Sequence, residues 1–319
     1  MCETVHYYDR WVNGNDLRLL DLAAGRKPSG IPPACLGDAA CGESRDVTLE
    51  LPPYEDREPA LPALDARALT PVKHVLVHGS VATQDACPFS DVDIAVFVDD
   101  LAAYTREEHE AAVCELRRLL HAALAFDPLM HHGLMFAPAA SLRRYNQRFL
   151  PVDTLARARV LHGPRTLQLR AVPVPADDFA QSARSAAVSL RKQVVARSFL
   201  HDDYRLKSFL SGALLMPARV LAAHGTCVYK RESFDLARSL FEAAPWEFIT
   251  RCEALRALWK RPAAPLPQRF VPGATHPHLR QVIAQRMGPR LNVLRLSSAM
   301  IDSLVSGAHR FLDVVQAVV

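Results

Sequence analysis

The chain has 319 residues, half of them hydrophobic and 23% charged, with a formal net charge of +4. That is the profile of a globular protein with room for one or two packed cores, and the charge is too small to mark the whole molecule as a polyanion binder. It offers no run of about 18 apolar residues that reads as a membrane span, since Phe209 to Ala223 is interrupted by Pro217 and Arg219.

The opening MCETVHYYDR has neither the basic start nor the apolar core of a secretory signal, so the expected location is the cytoplasm. The seven cysteines (Cys2, Cys35, Cys41, Cys87, Cys114, Cys227 and Cys252) are odd in number, scattered and without CxxC spacing, which predicts reduced thiols.

In chain order, residues 1–70 read as an irregular extension with a short helical pattern from Asp16 to Ala24 and two proline clusters, KPSGIPPA and LPPYEDREPALPALD. From Val72 the run VKHVLVHGS predicts a buried strand entering a turn, and DVDIAVFVDD predicts a second strand. Thr105 to Ala125 has helical spacing, with Val113, Leu116, Leu120 and Leu124 on one stripe. DPLMHHGLMFA, beginning after Asp127 and Pro128, is a candidate third strand. This alternation predicts an α/β (α+β) unit over 71–172, a small mixed sheet flanked by helices, with its boundary near AVPVPADD.

Within that unit SLRRYNQRFL, followed by Arg157, Arg159 and Arg165, is basic and carries Tyr145 and Phe149; it reads as an amphipathic helix with a solvated face or as a surface for RNA or polyphosphate. Residues 173–319 read as an all-helical unit, with helices at Asp178 to Leu200, Leu206 to His224, Arg231 to Phe241 and Pro245 to Trp259, then a proline-rich connector and one or two last helices. Between Glu253 and Asp302 there is no acid, while Arg256, Lys260, Arg261, Arg269, Arg280, Arg286, Arg290 and Arg295 are basic: a solvated face or an anion-binding surface.

The chemistry concentrates in VLVHGSVATQDACPFSDVDIAVFV. On a strand Asp91 and Asp93 point to one face, with Cα atoms about 6.6 Å apart. Two carboxylates about 4 Å apart in an effective dielectric near 20 repel by about 4 kcal/mol, so either one keeps a proton or a cation sits between them. With no His or Cys neighbour expected on that face, an all-oxygen site favours Mg²⁺. Gly79 and Ser80 end the first strand ahead of a helical turn, where free amides, the permissive glycine and the serine hydroxyl suit a phosphate.

Gly-Ser, ten intervening residues that end in Ser90, and then Asp-x-Asp on an apolar strand resemble the signature of the DNA polymerase beta-like nucleotidyltransferase superfamily, over roughly residues 70–150. The resemblance implies transfer of a nucleoside monophosphate, AMP from ATP or another NTP, to a hydroxyl of an unidentified small molecule, protein or RNA, with loss of pyrophosphate and two Mg²⁺ ions at the phosphates. It makes Asp91 and Asp93 metal ligands and puts Gly79, Ser80 and Ser90 on the nucleotide side. It calls for a third carboxylate after the long helix, for which Asp127 is the candidate, with His131 or His132 as the alternative base or ligand. It also implies a triphosphate-binding lysine from the helical part, with Lys207 and Lys230 as candidates. Two other readings stay open: a catalytically degenerate nucleotide-binding regulator or toxin–antitoxin component, and an RNA-end modifying enzyme.

Overall fold

The computed structural model describes residues 3–13, 43–55, 58–127, 129–130, 132–260 and 294–319. The helical pattern expected at Asp16 to Ala24 and most of the basic, acid-free stretch lie outside them.

In chain order, β1 is Arg45–Glu50, and the apolar run after it gives β2, Val72–His78. The turn helix α2 (Gly79–Ala82) and strand β3 (Asp93–Val98) follow; α1 is the N-terminal Glu3–Tyr8, continued by a wide turn over Asp9–Asn13. β2 and β3 pair antiparallel, from Val72 opposite Val98 to His78 opposite Asp93. The long helix α3 (Arg106–Phe126) then crosses to β4 (Met135–Pro138), which lies parallel to β3 with Ala95 opposite Met135. The remaining strands are β5 (Tyr145–Asn146), β6 (Arg159–His162) and β7 (Thr166–Val172), with the short helix α4 (Val152–Ala156) between β5 and β6. They complete two sheets, one ordered β4-β3-β2-β6 and the other β1-β7-β5.

β2 and β3, the middle strands of the larger sheet, are mostly apolar because both faces are covered. Val75 and Val77 with Ile94, Val96 and Val98 pack toward α3, where Leu116 and Leu120 meet them. Leu76, Ala95 and Phe97 face the second sheet, against Leu167, Leu169 and Ala171. α3 starts where its sequence dictates. The Thr105 hydroxyl accepts from Glu108 N at 3.3 Å and the Glu108 carboxylate accepts from Thr105 N at 2.7 Å, a reciprocal cap.

The N-terminal segment is tied into this unit. Tyr8 stacks on Phe136 at 5.8 Å and its hydroxyl meets His109 Nδ1 at 2.9 Å. Asn13 donates to Leu134 O at 2.7 Å and accepts from Leu134 N at 2.8 Å, so one side chain serves the backbone of the β4 approach as a neighbouring strand would.

The helical part comprises α5 (Ala176–Val195), α6 (Asp203–Ala223), α7 (Glu232–Arg238), α8 (Ala243–Ala257) and α9 (Ser298–Val318). Its core is aromatic, with Phe199 stacked on Phe209 at 4.5 Å and Phe241 on Phe311 at 5.0 Å. α6 is long and apolar enough to cross a bilayer, but Phe209, Leu210, Leu214 and Met216 are fully buried in this core. Two residues from the α/β part join the same cluster: Phe89, two positions before Asp91, and Leu129, in the connection from α3 to β4.

Three elements differ from the sequence expectation. The irregular extension contributes β1, which pairs with β7 from Arg45 opposite Ala171 to Glu50 opposite Thr166. SLRRYNQRFL is no helix: a 3-10 turn over Ala139–Arg144 passes into β5. The third strand begins only at Met135, because α3 runs on to Phe126 and Asp127 is its C-cap, which leaves the segment up to Leu134 as a loop.

Candidate active site

Asp91 and Asp93 end up at the edge of the larger sheet by different means. Asp93 is the first residue of β3, while Asp91 precedes the strand. A turn delivers Asp91: Ser90 N donates to Cys87 O at 2.8 Å and Cys87 N donates to the Ser90 hydroxyl at 3.1 Å. Ser90 is buried, and those bonds commit its hydroxyl to shaping the turn.

The two carboxylates converge on one imidazole. His132 Nε2 lies 2.9 Å from Asp93 Oδ1 and 3.2 Å from Asp91 Oδ2. Among the described residues these three side chains form the one cluster able to hold a metal ion, with all ligand atoms within 4.8 Å of one another. Burial opposes a charge on His132, but hydrogen bonds to Asp91 and Asp93 and the field of both acids outweigh it and hold its pKa well above the ordinary histidine range. His78, opposite Asp93 in the β2–β3 ladder, is only 5% exposed, and its Nε2 has no hydrogen-bond partner among the described residues. Burial lowers its pKa against the pull of Asp93, so this second imidazole stays neutral.

The expectation of an all-oxygen site therefore needs correction. A nitrogen able to ligate a metal stands beside the carboxylates, because the α3–β4 loop brings His132 back to the end of β3. His131 lies outside the described residues.

Gly79 has φ +70 and begins α2. A Cβ there would overlap Asp93 Oδ2 and lie 3.3 Å from its Cγ, so the glycine is what lets the turn approach the carboxylate. Ser80 is partly exposed beside it. The same turn is tied to the helical part: the Thr83 hydroxyl donates to Asp85 at 3.0 Å and meets the Tyr229 hydroxyl at 3.2 Å, and Arg231 pairs with Asp85.

Lys230, next to Tyr229, is in the field of both Asp91 and Asp93. Burial first, then the charge of Arg256, lower its pKa. Arg256 on α8 also hydrogen-bonds Cys87; burial alone would push that thiol up, but Arg256 and the Ser90 hydroxyl bring it below its usual value. Lys230 is thus within the field of the carboxylate cluster, and Arg256 within that of Lys230. Arg256 was legible only as one member of the acid-free basic stretch.

Asp127 lies within the field of Asp91 but outside the metal-capable cluster, because Lys207 claims it. Lys207 Nζ pairs with Asp127 Oδ2, and the two side chains are 0% and 1% exposed. Asp127 also accepts from Leu129 N at 3.1 Å, and Lys207 sits 5.5 Å from the Phe89 ring centroid. As the cap of α3, Asp127 faces α6 and neutralises its lysine. Their joint effect is to fasten the two loops that carry Asp91 and His132, with Phe89 further held edge-on by Trp259 at 5.1 Å.

Comparison with protein families gives one match: polymerase beta, nucleotidyltransferase, over residues 66–128. Comparison with curated proteins and with solved structures finds no match. The matched stretch contains β2, the Gly79-Ser80 turn, both aspartates and nearly all of α3. This agrees with an α+β catalytic part followed by helices, and the chain carries a polymerase beta-type nucleotidyltransferase domain over residues 66–128.

Proposed function

We propose that this protein transfers a nucleoside monophosphate, AMP from ATP, to a hydroxyl group of an acceptor and releases pyrophosphate. The observation that carries the reading is the convergence of Asp91 and Asp93 beside the Gly79 turn, with Lys230 and Arg256 nearby. Two carboxylates and an imidazole fit a divalent ion, and an orphaned ring nitrogen on His78 leaves further donor capacity at the same edge.

When bound, that ion neutralises charge on the phosphates and aligns the acceptor with the α-phosphorus. The chain's own residues do the rest. Asp91 and Asp93 fix the ion's place, and the Gly79-Ser80 turn admits phosphate oxygens close to backbone. Lys230 and Arg256 offset the negative charge that grows on the departing pyrophosphate. A cytoplasmic setting belongs to the proposal.

The test is incubation with a divalent metal and α-labelled ATP against panels of small molecules, protein and RNA. Labelled acceptor and pyrophosphate should appear and should vanish in Asp93→Asn. Undiminished turnover in that variant would refute the assignment.

A second reading, nucleotide binding without turnover, draws on the engagement of Asp127 with Lys207, which leaves no third carboxylate in the cluster among the described residues. It requires metal-dependent ATP binding with no product from any acceptor.

A further inference from the structure

The oxygen-only site expected from the paired aspartates would favour Mg²⁺, and the geometry around His132 points elsewhere. Metal–ligand bonds of about 2.0–2.2 Å place neighbouring corners of an octahedron about 3 Å apart. His132 Nε2 stands 2.9 Å from Asp93 Oδ1 and 3.2 Å from Asp91 Oδ2, close to that spacing, and all three ligand atoms lie within 4.8 Å of one another.

The ring is also oriented for that role. Its other nitrogen, Nδ1, lies 3.2 Å from Gly133 O. A histidine that donates Nδ1–H to a carbonyl aims Nε2 at the carboxylates, and an ion that displaces the Nε2 proton there meets the usual arrangement behind a metal-bound imidazole. The carbonyl is itself held in place. Asn13 clamps Leu134 through both backbone groups, and it packs so tightly on Gly133 that an added Cβ would meet its side-chain amide. Asn13 is buried and additionally donates to Asp9 Oδ1 at 2.9 Å, so the clamp has one orientation.

We infer that His132 is the third protein ligand of the catalytic ion, and that this nitrogen tunes the site toward a first-row transition ion of the Mn²⁺ class rather than Mg²⁺. The inference rests on the proposed nucleotidyl transfer for the location of the ion and adds its chemical class. Imidazole contributes little to the binding of Mg²⁺, which prefers oxygen and keeps its water, and much more to first-row transition ions. Mn²⁺ combines acceptance of nitrogen with the six-coordinate geometry and phosphate affinity the reaction needs.

The experiment uses the full chain and Mn²⁺ itself as probe, alone and with a non-hydrolysable ATP analogue. Pulsed electron paramagnetic resonance on bound Mn²⁺ should show modulation from a directly coordinated ¹⁴N, and labelling the unmutated protein with ¹⁵N-histidine should change it. His132→Asp should abolish the modulation and lower the ratio of Mg²⁺ to Mn²⁺ dissociation constants by about tenfold or more. Bound Mn²⁺ without nitrogen modulation in the unmutated protein, or an unchanged ratio in His132→Asp, would overturn the inference. Asp93→Asn separates the two levels: if Mn²⁺ binding is lost there while the nitrogen signal is absent from the parent, only the ligand assignment fails. If Mn²⁺ binding survives Asp93→Asn, or never occurs, the location of the ion fails as well.

Discussion

Replacing Gly79 with alanine tests the site through a single methyl group. The new Cβ would overlap Asp93 Oδ2, stand 3.3 Å from Cγ and 3.5 Å from Cβ of the same residue, and φ at the position is +70. Two costs follow. An L-residue in the left-handed region costs about 1 kcal/mol, and the Asp93 carboxylate must move by about 1 Å, a displacement that in an active site costs about 10²-fold in rate. Gly225 separates them. It too has a positive φ, +84, but a Cβ there meets nothing within 4 Å among the described residues. Gly225→Ala should therefore lower the melting temperature by about 2–4 °C for the same backbone cost and leave Mn²⁺ affinity and pyrophosphate release intact. Gly79→Ala should show a similar melting shift with about a hundredfold loss of turnover and weakened Mn²⁺ binding. Equal activities in the two variants would refute the claim that Gly79 exists to make room for Asp93.

Lys207→Met should destabilise the protein by about 3–5 kcal/mol in urea unfolding, because it strands a buried carboxylate, and Lys207→Met combined with Asp127→Leu should recover most of that; a neutral single variant would show that the pair is not buried as described. His74 and His162 have pKa values lowered by burial, so both stay neutral in the fold and gain protons on unfolding below pH 6.5. Their contribution is fully present above that pH and is lost as pH falls through the depressed folded-state values, at up to about 1.4 kcal/mol per pH unit for each; urea midpoints from pH 8 to pH 5 should fall more gently in His74→Gln. Asn13→Ala should weaken Mn²⁺ binding by about tenfold through loss of the Gly133–Leu134 clamp, with the ¹⁴N modulation reduced but the far-ultraviolet circular dichroism kept; unaltered affinity would remove Asn13 from the support of His132.

The catalytic half was legible because it is local. A buried strand, a glycine-serine turn and alternating acids sit within a single stretch of sequence, and the α3 stripe with its Thr105 cap announces itself by periodicity. The helices of the C-terminal part were read within a few residues for the same reason. What escaped depends on contacts distant in sequence. β7 alternates buried and exposed residues from Leu167 to Ala171, a visible signal, but its partner β1 lies in a segment that reads as loop until the pairing supplies the missing hydrogen bonds. Asp127 looks like a third ligand by position after the helix, and only the approach of Lys207 from α6 reveals its other task. His132 could be named as an alternative, yet its convergence with Asp91 and Asp93 depends on a loop path that local propensity does not encode.

The insertion of Phe89 and Leu129 into the aromatic core of the helices has an evolutionary corollary. A chain severed after Val172 would keep every donor for an ion and yet leave two greasy anchors in water and one acid without its counter-charge. The halves are consequently not interchangeable parts: recombination that exchanged the helical segment for another would have to bring along a matching lysine and a matching socket. Inheritance of activity here is a property of the whole sequence, and change on one side of the seam invites compensation on the other.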